Sequence, residues 1–144
     1  MALGEPFLID KSAWVQQAYS DIARRRIEFL RASERLCVCS VTVAELLYSS
    51  RSAAEMQADA DDLSLVDRLY VDRAAEDQVI EIMRLLAVTG QHRAPGMADL
   101  FVAAVARIHD ATVLHYDKDF ELIADVTGQR HEWVIPRGTG HGRH

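Results

Sequence analysis

Residues 97–124 read MADLFVAAVARIHDATVLHYDKDFELIA. From Met97 to about Ile108 the chain is apolar almost all round, the pattern of a buried helix. The short run Thr112-Val113-Leu114 reads as a buried strand, and Phe120-Glu121-Leu122-Ile123-Ala124 returns to a helical pattern. Working outward, Phe7-Leu8-Ile9, Leu36-Cys37-Val38-Cys39 and Trp133-Val134-Ile135 are further short apolar runs of strand type, and Leu69-Tyr70-Val71 is a weaker fifth. Helical patterns separate them: residues 12–34 with room for one or two helices, a pattern from about Thr42, and residues 53–66 and 74–88. Strands alternating with helices need crossover connections, so the expected fold is a parallel sheet with helices on both faces. Ligands of such sheets bind beyond the carboxyl ends of the strands.

The 144 residues, 49% hydrophobic and 26% charged, suit one domain with one sizeable core. A formal charge of −6 does not match the basic footprint of a protein that binds nucleic acid through its whole surface; were RNA a substrate, local basic residues and bound metal would have to attract it. Cys37 and Cys39 are expected on one face of their strand as buried thiols, because C-x-C matches neither a zinc knuckle nor a redox C-x-x-C pair. A reducing cytoplasm is the compartment this implies. No apolar stretch approaches the ~20 residues that span a bilayer, and Met1-Ala2-Leu3-Gly4-Glu5-Pro6 lacks the pattern of an export signal. Residues 1–136 are expected to form the single domain. The glycine-rich residues 137–144 are expected to be a flexible tail, its His141 and His144 weak metal ligands.

Acidic residues stand where this fold puts its ligands. Asp10 ends the first strand; either it or Ser12 can also cap the helix that follows. Asp99 puts a carboxylate in the first turn of an otherwise buried helix, where it either needs a partner or simply complements the helix dipole. Glu45 lies on the helix after the second strand, and Thr42-x-x-Glu45 fits a capping box as well as a site. Asp117 follows the strand ending at Tyr116, and Asp119 stands ready to cap the next helix, leaving Asp117 free. Carboxylates converging at one sheet edge repel unless a hard cation such as Mg²⁺ or Mn²⁺ lies among them, and that combination suits phosphodiester chemistry.

Phe7-Leu8-Ile9-Asp10-Lys11-Ser12-Ala13, Ser40-Val41-Thr42-Val43-Ala44-Glu45-Leu46, Ala98-Asp99-Leu100-Phe101-Val102-Ala103-Ala104 and residues 114–124 resemble, in order and spacing, the motifs of PIN domains, and in particular those of VapC toxins of bacterial toxin–antitoxin pairs. Trp133-Val134-Ile135-Pro136 resembles the closing strand of that family. The resemblance implies a three-layer α/β/α sandwich with a five-stranded parallel sheet and metal-dependent cleavage of RNA, tRNA and rRNA being common targets. It implies that Asp10, Glu45, Asp99 and Asp117 are catalytic and hold Mg²⁺ or Mn²⁺. Asp119 can share or take over the fourth position, and Ser12 supports the cluster. It further implies a homodimer and a VapB-like antitoxin whose tail enters the groove. Lys11 departs from the usual small or hydroxyl residue; solvent or phosphate is its expected neighbour.

Lys118, Arg93 and His92 are the candidate RNA contacts, whereas Arg24-Arg25-Arg26 reads more readily as a solvated ridge and His115 as a structural histidine. Two other readings compete. A haloacid-dehalogenase-type phosphatase would use Asp10 as nucleophile, Ser40 on phosphate and Asp117 with Asp119 on metal, but Ser12 stands where its general acid belongs. A non-catalytic partner-binding module would not need an intact set of carboxylates.

Overall fold

The computed structural model describes residues 4–142. Residues 1–3 and 143–144, which include the start of the segment read above for export and the tail's second histidine, lie outside the described residues. Five strands, β1 (Phe7–Ile9), β2 (Leu36–Cys39), β3 (Asp67–Leu69), β4 (Thr112–His115) and β5 (His131–Trp133), form one sheet in the order β3-β2-β1-β4-β5, every pair parallel. The helices are α1 (Lys11–Trp14), continued by a 3₁₀ turn at Val15–Ala18, α2 (Asp21–Ala32), α3 (Ser40–Tyr48), α4 (Ala53–Leu63), α5 (Arg73–Ala87), α6 (Met97–Ile108) and α7 (Asp119–Thr127).

Period-2 alternation builds the three layers. Phe7, Ile9, Leu36, Val38 and Leu114 face one core, which α1 to α4 cover through residues such as Ala13, Ile27, Val43 and Leu63. Leu8, Cys39 and Val113 face the other, covered by α5, α6 and α7 through Ile82, Leu86, Ala103 and Phe120. Cys37 packs against that second core too, so both thiols share a face, and both are free. The central strands are therefore apolar on both sides, as parallel strands must be. α6 buries Val102 through Ala106 without interruption because it is wedged between the sheet and α5.

The two edge strands differ from the expected runs. β3 pairs through Asp67 and Arg68, both exposed, and releases Tyr70 and Val71, whose backbone turns away to meet Ser40 Oγ. β5 pairs through His131, Glu132 and Trp133, while Val134 and Ile135 follow the strand and enter the first core. The chain moves out from β1 through β2 to β3, then crosses back to β4 on the other side of β1. This reversal opens a crevice at the carboxyl ends of β1 and β4, the place where open α/β sheets bind ligands.

α3 begins at Ser40, two residues before the expected start, and its N-cap is Cys39, whose side chain makes no capping bond. Thr42 is accordingly the third residue of the helix and fully buried, and its Oγ1 meets no hydrogen-bond partner among the described residues. The capping box is absent, and Glu45 owes its position to nothing of that kind. Thr42→Val removes a buried unpaired hydroxyl at constant shape. It is expected to stabilise the protein by about 1 kcal/mol, raising the melting temperature by about 2–4 °C in a calorimetric scan.

Among the described residues no helix is long and apolar enough to cross a membrane.

Candidate metal centre

Asp10 leaves β1 with its backbone N–H still bonded to Leu114 O of β4 at 2.9 Å, so its side chain is delivered at the crevice between those strands. It is the N-cap of α1: Oδ2 accepts from the Ser12 N–H at 3.0 Å and from Ser12 Oγ at 2.6 Å. Capping and placement in the site are thus one arrangement, with Oδ1 outside that set of bonds. The carboxyl group is only 3% exposed. Burial drives its pKa up, against the Ser12 hydrogen bonds, and the Asp117 charge pushes it further.

Ser12 does a second job. Its Oγ accepts the Tyr116 N–H at 2.8 Å, which ties the end of β4 to the start of α1. Ser12→Ala would leave that amide without its acceptor and Asp10 with one bond fewer. A loss of about 1–3 kcal/mol is expected, seen as a lower melting temperature in the presence of a chelator, with Ser12→Thr retaining most of it.

Asp117 follows β4 by one residue beyond Tyr116. Its N–H donates to His115 Nδ1 at 3.1 Å, leaving the ring proton of His115 on Nε2, where it meets His131 Nδ1 at 2.8 Å. Burial, then the neighbouring His131, hold the His115 pKa down to about 3. His115 is therefore a neutral, fully buried support for Asp117, packed among Phe120, His131 and Trp133.

The capping roles of the next two aspartates are the reverse of the expectation. Asp117 Oδ1 accepts the Asp119 N–H at 2.9 Å, while Asp119 is the first residue of α7 and turns its carboxylate to the Gly96 N–H at 3.3 Å. That bond carries Asp119 to the N-terminus of α6, beside Asp99. Carboxylate oxygens of Asp99, Asp117 and Asp119 all lie within 4.8 Å of one another. Asp119 is thus part of the cluster itself.

A cleft of about 250 Å³ is lined by Asp10, Ser12, Glu45, Asp99 and Asp117, with Lys11 and Val15 at its side. Burial is the largest influence on each of its four acids and raises the pKa of all of them. Asp99 is pushed up to about 9 by burial, then by the Asp10 charge and by a hydrogen bond to Asp119. Glu45, half-buried on α3, is raised by burial and by Asp10 and partly compensated by Lys11. Lys11 Nζ donates to Ser49 Oγ at 3.0 Å, so the ammonium leans along α3 at the cleft's edge.

His92, Arg93 and Lys118 are exposed. Lys118 is near enough to lower the Asp117 pKa in part, whereas His92 and Arg93 stand in the loop before α6. The arginine ridge is engaged elsewhere: Arg24 pairs with Asp21 at 2.8 Å, Arg25 reaches Asp21 O at 3.4 Å, and Arg26 binds Glu132 and, at 2.9 Å, Trp133 O.

Chemically the cluster offers only oxygen ligands, gathered from β1, α3, α6, the end of β4 and the start of α7. Oppositely charged side chains inside it are few, and proton uptake is the only relief available to the carboxylates themselves. These residues fit a hard divalent cation, whose charge removes the repulsion and restores the ionised forms.

A parallel β3-β2-β1-β4-β5 sheet with carboxylates gathered at the β1/β4 crevice defines a class, and the sequence model of the PIN domain matches residues 7–126; the chain belongs to that family. Within it, the chain is similar to Ribonuclease VapC18 of Mycobacterium tuberculosis, 38% identical over 135 residues that cover 92% of this chain and 98% of the relative. It is similar also to Ribonuclease VapC51 of the same organism, 35% identical with 92% and 96% covered. The fold matches the toxin–antitoxin complex VapBC of Salmonella typhimurium, solved bound to DNA, with a TM-score of 0.75 at 23% identity, covering 92% of this chain and all of that one. It also matches Mycobacterium tuberculosis VapC20, described as a sarcin–ricin-loop-cleaving toxin, with a TM-score of 0.60 at 22% identity over 86% of this chain and 98% of that one. The phosphatase reading falls with this membership.

Proposed function

We propose that this protein is a VapC-type endoribonuclease that hydrolyses phosphodiester bonds of a structured RNA, tRNA or rRNA, with Asp10, Glu45, Asp99 and Asp117 as its catalytic carboxylates and Asp119 beside them. The observation that carries the reading is the convergence of four acids from separate elements on one cleft, with Asp119 against two of them, at a cost in repulsion and desolvation that a bound cation offsets. Asp10, Glu45, Asp99 and Asp117 would hold Mg²⁺ or Mn²⁺, with Asp119 close enough to share in it. Such an ion supplies an activated water and neutralises charge developing on the phosphate.

The chain's own residues do the rest. Ser12 fixes the Asp10 carboxylate, and His115 fixes the turn that carries Asp117. Glu45, half-buried on α3, lines the same cleft and would complete the ligand set. Lys118, with Arg93 and His92, all exposed, would meet the RNA backbone. The acidic surface charge steers such a substrate poorly, so these few cations carry the approach.

The partner under this reading is a VapB-like antitoxin that presents a basic segment to the cleft, and the toxin works in the cytoplasm as a homodimer that arrests translation when released. The similarity to VapC ribonucleases and the VapBC fold supports this. Purified protein free of antitoxin, incubated with end-labelled structured RNA and Mn²⁺, is expected to give internal cuts that vanish with chelator and with Asp10→Asn. Chelator-resistant cleavage, or no cleavage of any tRNA or rRNA tested, would sink the reading.

A further inference from the structure

Residues 138–141, expected to fray, are held by two buried side chains, Tyr116 and Gln16, each next in sequence to a residue that lines the acidic cleft, Asp117 and Val15. The Tyr116 hydroxyl accepts the N–H groups of Gly138 at 2.9 Å and Gly140 at 2.7 Å. The Gln16 side chain brackets His141 from both sides: its Nε2 donates to His141 O at 2.6 Å, and its Oε1 accepts the His141 N–H at 2.8 Å. With the strap in place Tyr116 and Gln16 are 1% and 2% exposed, so the bonds between strap and anchors are sheltered from water. The His141 ring stacks on Tyr19 at 3.8 Å between centroids. At Gly140 a Cβ would lie 2.7 Å from Tyr116 Cζ, 2.8 Å from Gln16 Oε1 and 3.0 Å from Ile135 Cδ1, so the strap passes only where the side chain is missing.

Both anchors lead straight to the carboxylates. Tyr116 immediately precedes Asp117, and its N–H binds the Ser12 hydroxyl that holds Asp10. Gln16 lies in the 3₁₀ turn that continues α1, the helix Asp10 caps. The same short strap thus clamps the two sides of the β1/β4 crevice together. We infer that Gly138–His141 is a positioning strap: through Tyr116 and Gln16 it sets the separation of Asp10 and Asp117, and thereby the cleft's affinity for a divalent cation. The inference rests on the metal-centre reading above, and its test does not require RNA.

The test compares the full chain, a truncation lacking residues 138–144, a control lacking only 143–144, and the full-length variants Gly140→Ala and Tyr116→Phe. Mn²⁺ affinity is read by electron paramagnetic resonance of the free ion, alongside kcat, KM and thermal melts. The 138–144 truncation and both point variants are expected to bind Mn²⁺ about 10- to 100-fold more weakly, the range for residues that orient metal ligands. kcat at fixed Mn²⁺ should fall in parallel with KM little changed, while the 143–144 control matches the full chain. Should the long truncation fail to fold, the two point variants decide. Lower melting temperatures with Mn²⁺ affinity and kcat unchanged in Gly140→Ala and Tyr116→Phe would overturn the strap's role and leave it a stabilising contact. A full chain that binds Mn²⁺ but cuts no RNA counts against the proposed activity alone, because the affinity comparison still decides the strap; a full chain that binds no Mn²⁺ overturns both.

Discussion

Asp99→Asn is expected to abolish RNA cleavage while making the cation-free protein more stable. Asp99, like Asp117, belongs both to the cleft and to the tight carboxylate triad, and burial with the neighbouring acids pushes its pKa up to about 9. An amide cannot replace a charged ligand, and losing several kcal/mol of transition-state stabilisation, at about 1.4 kcal/mol per factor of ten, predicts a fall of about 10³-fold in kcat/KM. The stability effect has the opposite sign. In the folded, cation-free protein the Asp99 carboxyl takes up a proton far above the 3.8 of an unhindered aspartate, so at neutral pH folding works against the solution concentration of protons. Asn is neutral at every pH and can donate to Asp119 as the protonated acid does. The gain should grow from pH 5 to pH 8. At pH 8 about 1–3 kcal/mol is expected, or about 3–10 °C in the melting temperature. A variant that loses activity and melts lower at pH 8 would mean that Asp99 is held as a helix-terminal charge, with no strain to relieve.

How much of this was legible in the sequence differs by element. The central strands β1, β2 and β4 are buried on both faces, so their pairing residues and their apolar residues are the same, and Phe7–Ile9, Leu36–Cys39 and Thr112–Leu114 stand out directly. At the edges the two properties separate. β3 pairs through exposed Asp67 and Arg68, which carry no apolar signal, and Val134 and Ile135 are buried without being in the strand. The apolar run marked burial and missed the register. Thr42-x-x-Glu45 misled for a related reason: the capping-box spacing is short and common, and the helix starts earlier because the strand runs straight into it at Ser40.

The acids at strand ends could be read because topology fixes where strand ends meet. Asp119 could not be placed so well, since its path to Asp99 depends on the Gly96 N–H, a contact between two helix N-termini distant in sequence. Gln16 and Tyr116 gave no signal at all. A buried glutamine in a helical stretch looks like any surface glutamine until the strap that needs it is in place, and a Gly-Thr-Gly-His run looks like slack chain. The glycine that suggested disorder is at Gly140 the condition for close packing.

Raising the pH from 7 to 9 should destabilise the cation-free protein, and Mg²⁺ or Mn²⁺ should reverse the loss. The choice of window matters because two groups of residues oppose each other below it. His115 is held down to about 3 in the folded state, so the unfolded chain binds more protons below the ordinary 6.5, and stability contributed by His115 is lost as pH falls through that range. The clustered acids act the other way: Asp10, Glu45, Asp99 and Asp117 are all raised, the folded state holds more protons than the unfolded one, and stability falls as pH rises from about 4 toward the Asp99 value of about 9. Between 4 and 6.5 the two trends offset. Above 6.5 the His115 contribution is complete and the raised acids remain, joined toward pH 9 by the raised thiols of Cys37 and Cys39 in the same direction, and each proton held selectively by the fold costs at most about 1.4 kcal/mol per pH unit. A fall of about 5–10 °C between pH 7 and pH 9 is expected in chelator. A divalent cation replaces the protons as counter-charge, and at 100 times its dissociation constant it stabilises by about 2.7 kcal/mol. Because ion and proton compete for the same oxygens, the ion's benefit must be larger at pH 9 than at pH 6. A melting temperature that Mg²⁺ and Mn²⁺ raise equally at both pH values, or leave unmoved, would show that these carboxylates do not form a cation site.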